Sequence, residues 1–148
     1  CVTHVKGYIM KEKIKILNPQ DCISLLLKYR KMKQEHFCAI FLNSQNEVIR
    51  TKCFFVGSDS FCQVHPKLIF WKACKLEASA MILFHNHPSG NTSPSQKDIE
   101  LTEMFEKGGN LLGIHVLDHL IIGIYDYYSF RENDLMSKKE KSVKAAEL

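Results

Sequence analysis

His85 and His87 stand one residue apart at the end of an apolar run, and Asp98 follows eleven residues after the second of them. This spacing dictates a succession of backbone states. Side chains of an extended strand alternate faces with period two, so histidines at i and i+2 aim both rings the same way. Residues 80–84 form the short apolar strand that leads into His85, and 86–94, rich in Pro, Ser, Gly and Asn, reads as a loop. Ser93-Pro94-Ser95-Gln96 then reads as a capping box opening a helix, with Gly108-Gly109 at its end. On that helix Asp98, Leu101, Thr102 and Phe105 share one face, so the carboxylate points inward with apolar neighbours. An inward carboxylate needs a partner to offset its desolvation, and a metal ion is a suitable one. Two imidazoles and one carboxylate, with a position left for water, are the make-up of a catalytic zinc site.

The remaining segments read as one α/β domain, the natural expectation for 148 residues of which 45% are apolar. Asn18-Pro19-Gln20-Asp21 is a helix start, with a cap residue, proline at the first helical position and an acid three residues after the cap. Cys22, Leu25, Leu26 and Tyr29 continue it as an apolar stripe, and Lys28, Arg30 and Lys31 sit at its end. Residues 37–42 are apolar throughout and predict a strand buried on both faces, joined by the turn 43–47 to a second strand over 48–55. Pro66 starts another helix with Ile69, Phe70, Ala73 and Cys74 on its buried side. Two strands are expected over 114–117 and 120–124, with Asp118-His119 as the turn between them or as support for the metal ligands, and a short third strand near 127–130. Residues 1–17 read as an N-terminal extension with an edge strand, 18–136 as the domain proper, and 137–148 as a polar tail.

Composition removes several function classes. The formal charge of +4 is mild and spread out, apart from Lys138-Lys139-Glu140-Lys141, and gives little support to nucleic-acid binding. No signal peptide is visible and no apolar run reaches the ~18 residues of a membrane helix. The chain opens at Cys1, as a processed or truncated product would. Six cysteines without a C-x-x-C pair read as reduced, mostly buried thiols, which points to the cytoplasm. His4, His36, His65 and His115 read as surface or capping residues, and Trp71 as helix packing.

His-x-His-Pro, Pro-Ser and an Asp eleven residues past the second His resemble the JAMM (MPN+) metalloprotease signature. Phe41-Leu42-Asn43, Val64-His65-Pro66, Ile82-Leu83-Phe84-His85-Asn86-His87-Pro88-Ser89-Gly90 and Leu117-Asp118-His119-Leu120-Ile121-Ile122-Gly123 narrow the resemblance to the bacterial RadC family, a JAB-domain group, over about residues 35–135. The resemblance implies a three-layer α/β sandwich around a mixed, curved sheet, as in cytidine-deaminase-like folds. It also implies zinc bound by His85, His87 and Asp98, and an oxyanion-supporting hydroxyl on Ser95, which otherwise is a first-turn helix residue. The family's general-base glutamate has its counterpart in Glu35, with Glu47 as the alternative. Longer members carry a helix-hairpin-helix segment that is not seen here, and many carry glutamates where this chain has Lys52 and Cys53.

The function expected from these residues is a zinc-dependent peptidase or isopeptidase acting on a peptide or isopeptide substrate. The alternative is a DNA-repair-associated binding module whose metal site is structural or vestigial. A hydrolase of nucleotides or other small amides is a third reading, because a metal site fixes the chemistry and not the substrate.

Overall fold

A computed structural model describes residues 12–58 and 64–137. The helix α1 (Pro19–Leu26) begins as its sequence requires. Asn18 caps it by accepting from the Asp21 amide, the Asp21 carboxylate returns the bond to the Asn18 amide, and Pro19 takes the first helical position. It tightens into a 3-10 turn over Leu27–Lys31. The strand β1 (Glu35–Leu42) is completely buried from Phe37 onward and hairpins into β2 (Val48–Gly57). There follow α2 (Pro66–Lys75), β3 (Ala80–Asn86), α3 (Gln96–Leu112), β4 (His115–Ile122) and β5 (Tyr127–Ser129).

The five strands form one open, mixed sheet in the order β2-β1-β3-β4-β5. All neighbours run antiparallel except β3 and β4, which are parallel and are connected by α3. Two apolar clusters cover the two faces. On one, Phe37, Phe41, Met81 and Leu83 pack under Ile69, Phe70 and Ala73 of α2 and Leu101 and Phe105 of α3. On the other, Ile40, Ile82, Phe84 and Leu120 pack against Cys22, Ile23 and Leu26 of α1. Each such fully buried side chain contributes about 1.5–3 kcal/mol. The result is the expected three-layer α/β arrangement.

Several expectations are corrected. One strand, His115–Ile122, replaces the two expected over 114–117 and 120–124, and Asp118-His119 lies inside it instead of forming a turn. The cause is a bulge. Met81 pairs with Val116 but Ile82 pairs with Asp118, so Leu117 is an extra residue on β4. The reset alternation puts His119 and Ile121 on the α2/α3 face and Asp118 and Leu120 on the other. Asp118 fills its buried position by accepting from Ser129 Oγ (2.5 Å), the His119 amide (2.7 Å) and the Arg131 amide (3.0 Å), pinning β5 and the following turn to β4.

The helix α3 runs past Gly108-Gly109 to Leu112 and ends at Gly113, whose φ of +70° is the left-handed cap expected one turn earlier. Gly109 is instead a point of close approach, where a Cβ would lie 2.4 Å from the Ile114 carbonyl oxygen. Cys74 is exposed rather than on the buried side of α2, and Trp71 is exposed with Lys75 Nζ 4.9 Å above its ring. Residues 1–11, His4 and most of the proposed tail (138–148) lie outside the described residues. Within the extension, Lys15 forms an antiparallel bridge with Glu47, and Ile16 is buried.

Candidate metal centre

The C-terminal end of β3 presents His85, and the backbone of His87 carries the β3–β4 ladder one step further by donating to the Ile122 carbonyl (2.9 Å). Asp98 approaches from the first turn of α3. Its position is set by a capping box: Ser95 Oγ accepts from the Asp98 amide (3.1 Å) and Asp98 Oδ2 accepts from the Ser95 amide (2.8 Å). The cap is therefore Ser95, not Ser93, because an ionised Asp98 accepts a stronger, charge-assisted bond than the neutral Gln96 amide can.

His85, His87 and Asp98 each turn a ligand atom to a common point, all within 4.8 Å of one another. His85 Nε2 lies 3.0 Å from His87 Nε2 and 3.4 Å from Asp98 Oδ1, while His87 Nε2 lies 3.8 Å from Asp98 Oδ2. An ion that takes nitrogen ligands tetrahedrally at ~2.0–2.1 Å needs its donors roughly 3.3 Å apart. The set brackets that value, so these three residues can hold a metal ion. His87 is pre-oriented for it. Its Nδ1 lies 2.6 Å from the Asn91 carbonyl, which only accepts, so Nδ1 carries the proton and Nε2 offers its lone pair.

Burial grades across the centre. The His85 side chain is inaccessible, Asp98 is 11% exposed and His87 is 20% exposed, so the open side is next to His87. Phe37 stacks on His85 with ring centroids 5.9 Å apart. Burial pushes the His85 imidazole down to about 4, against the opposing pull of Asp98 and with a further lowering from His87. Burial likewise pushes His119 well below the ordinary histidine value, with His85 and His87 adding to it.

These depressed values predict acid lability of the metal-free protein. A base whose folded pKa is depressed contributes no loss above its unfolded value, 6.5 here, and loses stability as pH falls below it, because the unfolded chain takes up protons that the folded one refuses. Both histidines are expected to remove stability as the pH falls through that window. Denaturant midpoints of chelator-treated protein between about pH 7 and 5 measure it, and a flat profile would contradict the burial argument.

Glu35 opens β1, two residues before Phe37, which pairs with His85. Continuing that antiparallel register by two residues sets Glu35 opposite His87, on the face shared by Phe37 and His85. Glu47 lies past the other end of β1, seven strand steps or roughly 23 Å away. Its carboxylate accepts from Asn43 Nδ2 (2.8 Å) and Lys13 Nζ (3.1 Å). Those bonds, Asn43's first, hold it below the usual carboxylate range.

Asn86 and Thr102 join the site without having been expected there, and His119 takes the supporting place that the sequence offers as the alternative to a turn. Asn86, assigned to the loop, ends β3 with its side chain on the face opposite His85. Its Oδ1 accepts from the His36 amide (2.7 Å) and its Nδ2 donates to the Gln34 carbonyl (3.0 Å), so it grips the backbone on both sides of Glu35. His119 Nε2 lies 2.9 Å from His85 Nδ1, and Thr102 Oγ1 lies 2.6 Å from His119 Nδ1. The available signals were polar residues interrupting apolar runs, at Asn86 and at Asp118-His119.

A family model described as the RadC-like JAB domain matches residues 16–135, most of the chain. The chain belongs to the RadC-like JAB domain family. Among curated proteins, it is 42% identical over 118 residues to a UPF0758 protein of Bacillus mycoides (strain KBAB4), covering 79% of this chain and 52% of that relative. UPF0758 proteins of Bacillus cereus (strain 03BB102) and Bacillus anthracis (strain A0248) are 41% identical with the same coverage. The chain thus spans about half the length of these relatives. In this RadC-like JAB domain the metal-ligand candidates come from β3, the loop after it and the first turn of α3, inside the matched region. Among the described residues no helix is long and apolar enough to cross a membrane.

Proposed function

We propose that this RadC-like JAB domain is a zinc-dependent peptidase or isopeptidase of the JAMM type. The observation that carries the reading is the convergence of His85 Nε2, His87 Nε2 and the Asp98 carboxylate at donor spacings a tetrahedral ion accepts, with one side open beside His87. Zinc held by such a set supplies a Lewis acid and makes water nucleophilic near neutral pH. Glu35, set by register on the same face, takes the proton of the attacking water and returns it to the leaving amine nitrogen. Ser95 Oγ uses a lone pair to accept from the Asp98 amide, so its hydroxyl proton is the one to donate to the carbonyl oxygen as charge builds there. An amide substrate approaches from the His87 side, because His85 is sealed beneath Phe37. Free thiols at Cys22, Cys38, Cys53 and Cys74 support a reducing, cytoplasmic setting.

The test is the zinc content of purified protein by mass spectrometry, beside His87→Ala, followed by screening against peptide and isopeptide libraries. We expect about one zinc per chain, lost in the variant, and amide cleavage that depends on it. Absence of bound metal even after zinc addition would sink the proposal and favour a binding module, for which DNA titrations across salt concentrations are the check.

A further inference from the structure

We propose that Thr102 and His119 form a one-directional hydrogen-bond relay that holds His85 in the tautomer whose Nε2 lone pair faces the ligand set, making His119 a positioning residue for metal binding. The inference rests on reading His85, His87 and Asp98 as the metal ligands.

The direction follows from counting protons. Thr102 Oγ1 lies 2.7 Å from the Asp98 carbonyl oxygen and 2.6 Å from His119 Nδ1, and it has one proton to give. A carbonyl oxygen only accepts. If the hydroxyl proton went to His119, two oxygen lone pairs would face each other across 2.7 Å in a buried site. The proton therefore goes to the Asp98 carbonyl, and Thr102 Oγ1 accepts from His119 Nδ1–H. A neutral His119 then has a bare Nε2, 2.9 Å from His85 Nδ1, and accepts its proton. His85, with its proton on Nδ1, is left with a bare Nε2 that faces the bare Nε2 of His87 at 3.0 Å, a pair of lone pairs satisfied by one cation shared between the two rings.

The relay is built rather than incidental. Thr102 stands one helical turn after Asp98, so the helix that delivers the carboxylate ligand also terminates the chain of bonds that orients the imidazole ligand. The β4 bulge at Leu117 is what turns His119 to this face. Phe130 stacks on His119 with ring centroids 4.8 Å apart, Phe37 meets it edge-on at 5.6 Å, and the ring is completely buried. A histidine so enclosed holds one orientation without water to exchange partners with. Partners of this kind typically change metal affinity 10–100-fold when removed.

Long-range proton–nitrogen correlation spectra of the metal-free, nitrogen-15-histidine-labelled chain read the tautomer directly, with the His85 signals assigned by their loss in His85→Asn. In the wild type, His85 and His119 are both expected as Nδ1–H tautomers. Thr102→Val keeps the shape of the residue and removes the anchor, so both rings should lose the single tautomer, and zinc affinity by chelator competition should fall. His119→Phe should weaken zinc roughly 10–100-fold, while His119→Gln, which offers an oxygen to His85 Nδ1–H, should recover most of the loss. A wild-type His85 carrying its proton on Nε2 would overturn the relay, as would unchanged His85 signals in Thr102→Val. Wild-type spectra showing the relay in a protein that takes up no zinc would leave the relay standing and reject the hydrolase reading instead.

Discussion

Asp98→Asn is expected to lower zinc affinity by roughly two to three orders of magnitude while leaving the fold in place. Structural zinc sites with four protein ligands bind with about 10–16 kcal/mol, or about 2.5–4 kcal/mol per ligand, and each 1.4 kcal/mol is tenfold. Asparagine offers a neutral oxygen where the carboxylate supplied a charged one. Placed where Oδ2 was, that oxygen still accepts from the Ser95 amide (2.8 Å in the wild type) and preserves the start of α3, while the NH2 group takes the Oδ1 place beside His85 and cannot ligate. Asp98→Ala removes both functions, and should lose zinc and about 1 kcal/mol of helix-cap stability besides. Chelator competition measures the first effect, and melts in chelator the second. Zinc binding by Asp98→Asn within about tenfold of wild type would remove Asp98 from the ligand set.

The dual use of Asp98 also explains why the candidate ligand set was legible in the sequence. Its place on the apolar stripe with Leu101, Thr102 and Phe105 follows from helical periodicity alone, and all four are buried. The two histidines follow from strand periodicity in the same way. What periodicity could not reveal lies where a period is broken. One extra residue in β4 inverts the alternation between Val116 and His119, so a reading by twos ends the strand there and assigns the two polar residues to a turn. Ser93 and Ser95 both satisfy a capping pattern, and only the ionised Asp98 side chain separates them. Gly108-Gly109 resembles a helix end because the need for a small residue against Phe70 and the Ile114 carbonyl is a tertiary fact with no local mark. Asn86 was hidden for the same reason, since its partners at residues 32–36 are about fifty positions away in the chain.

Glu35→Gln is expected to retain zinc and lose turnover by roughly 10²–10⁴-fold, the usual worth of a positioned general base. The argument is one of placement. β1 and β3 are antiparallel with Phe37 opposite His85, so the residue two steps earlier reaches the level of His87, on the open side of the centre. Asn86 fixes that level by bonding to residues 34 and 36, on either side of Glu35. Its side chain leaves β3 on the face away from His85, so Asn86→Ala disturbs the base without touching a ligand. That variant should keep zinc and lose part of the turnover, with a smaller drop than Glu35→Gln. Glu47→Gln should change neither, because its carboxylate is engaged by Asn43 and Lys13 at the far end of β1. Zinc assays and turnover on the same three variants separate the possibilities. Full activity in Glu35→Gln would move the base elsewhere, and the Asn86 clamp would then be a purely structural tie between β3 and the start of β1.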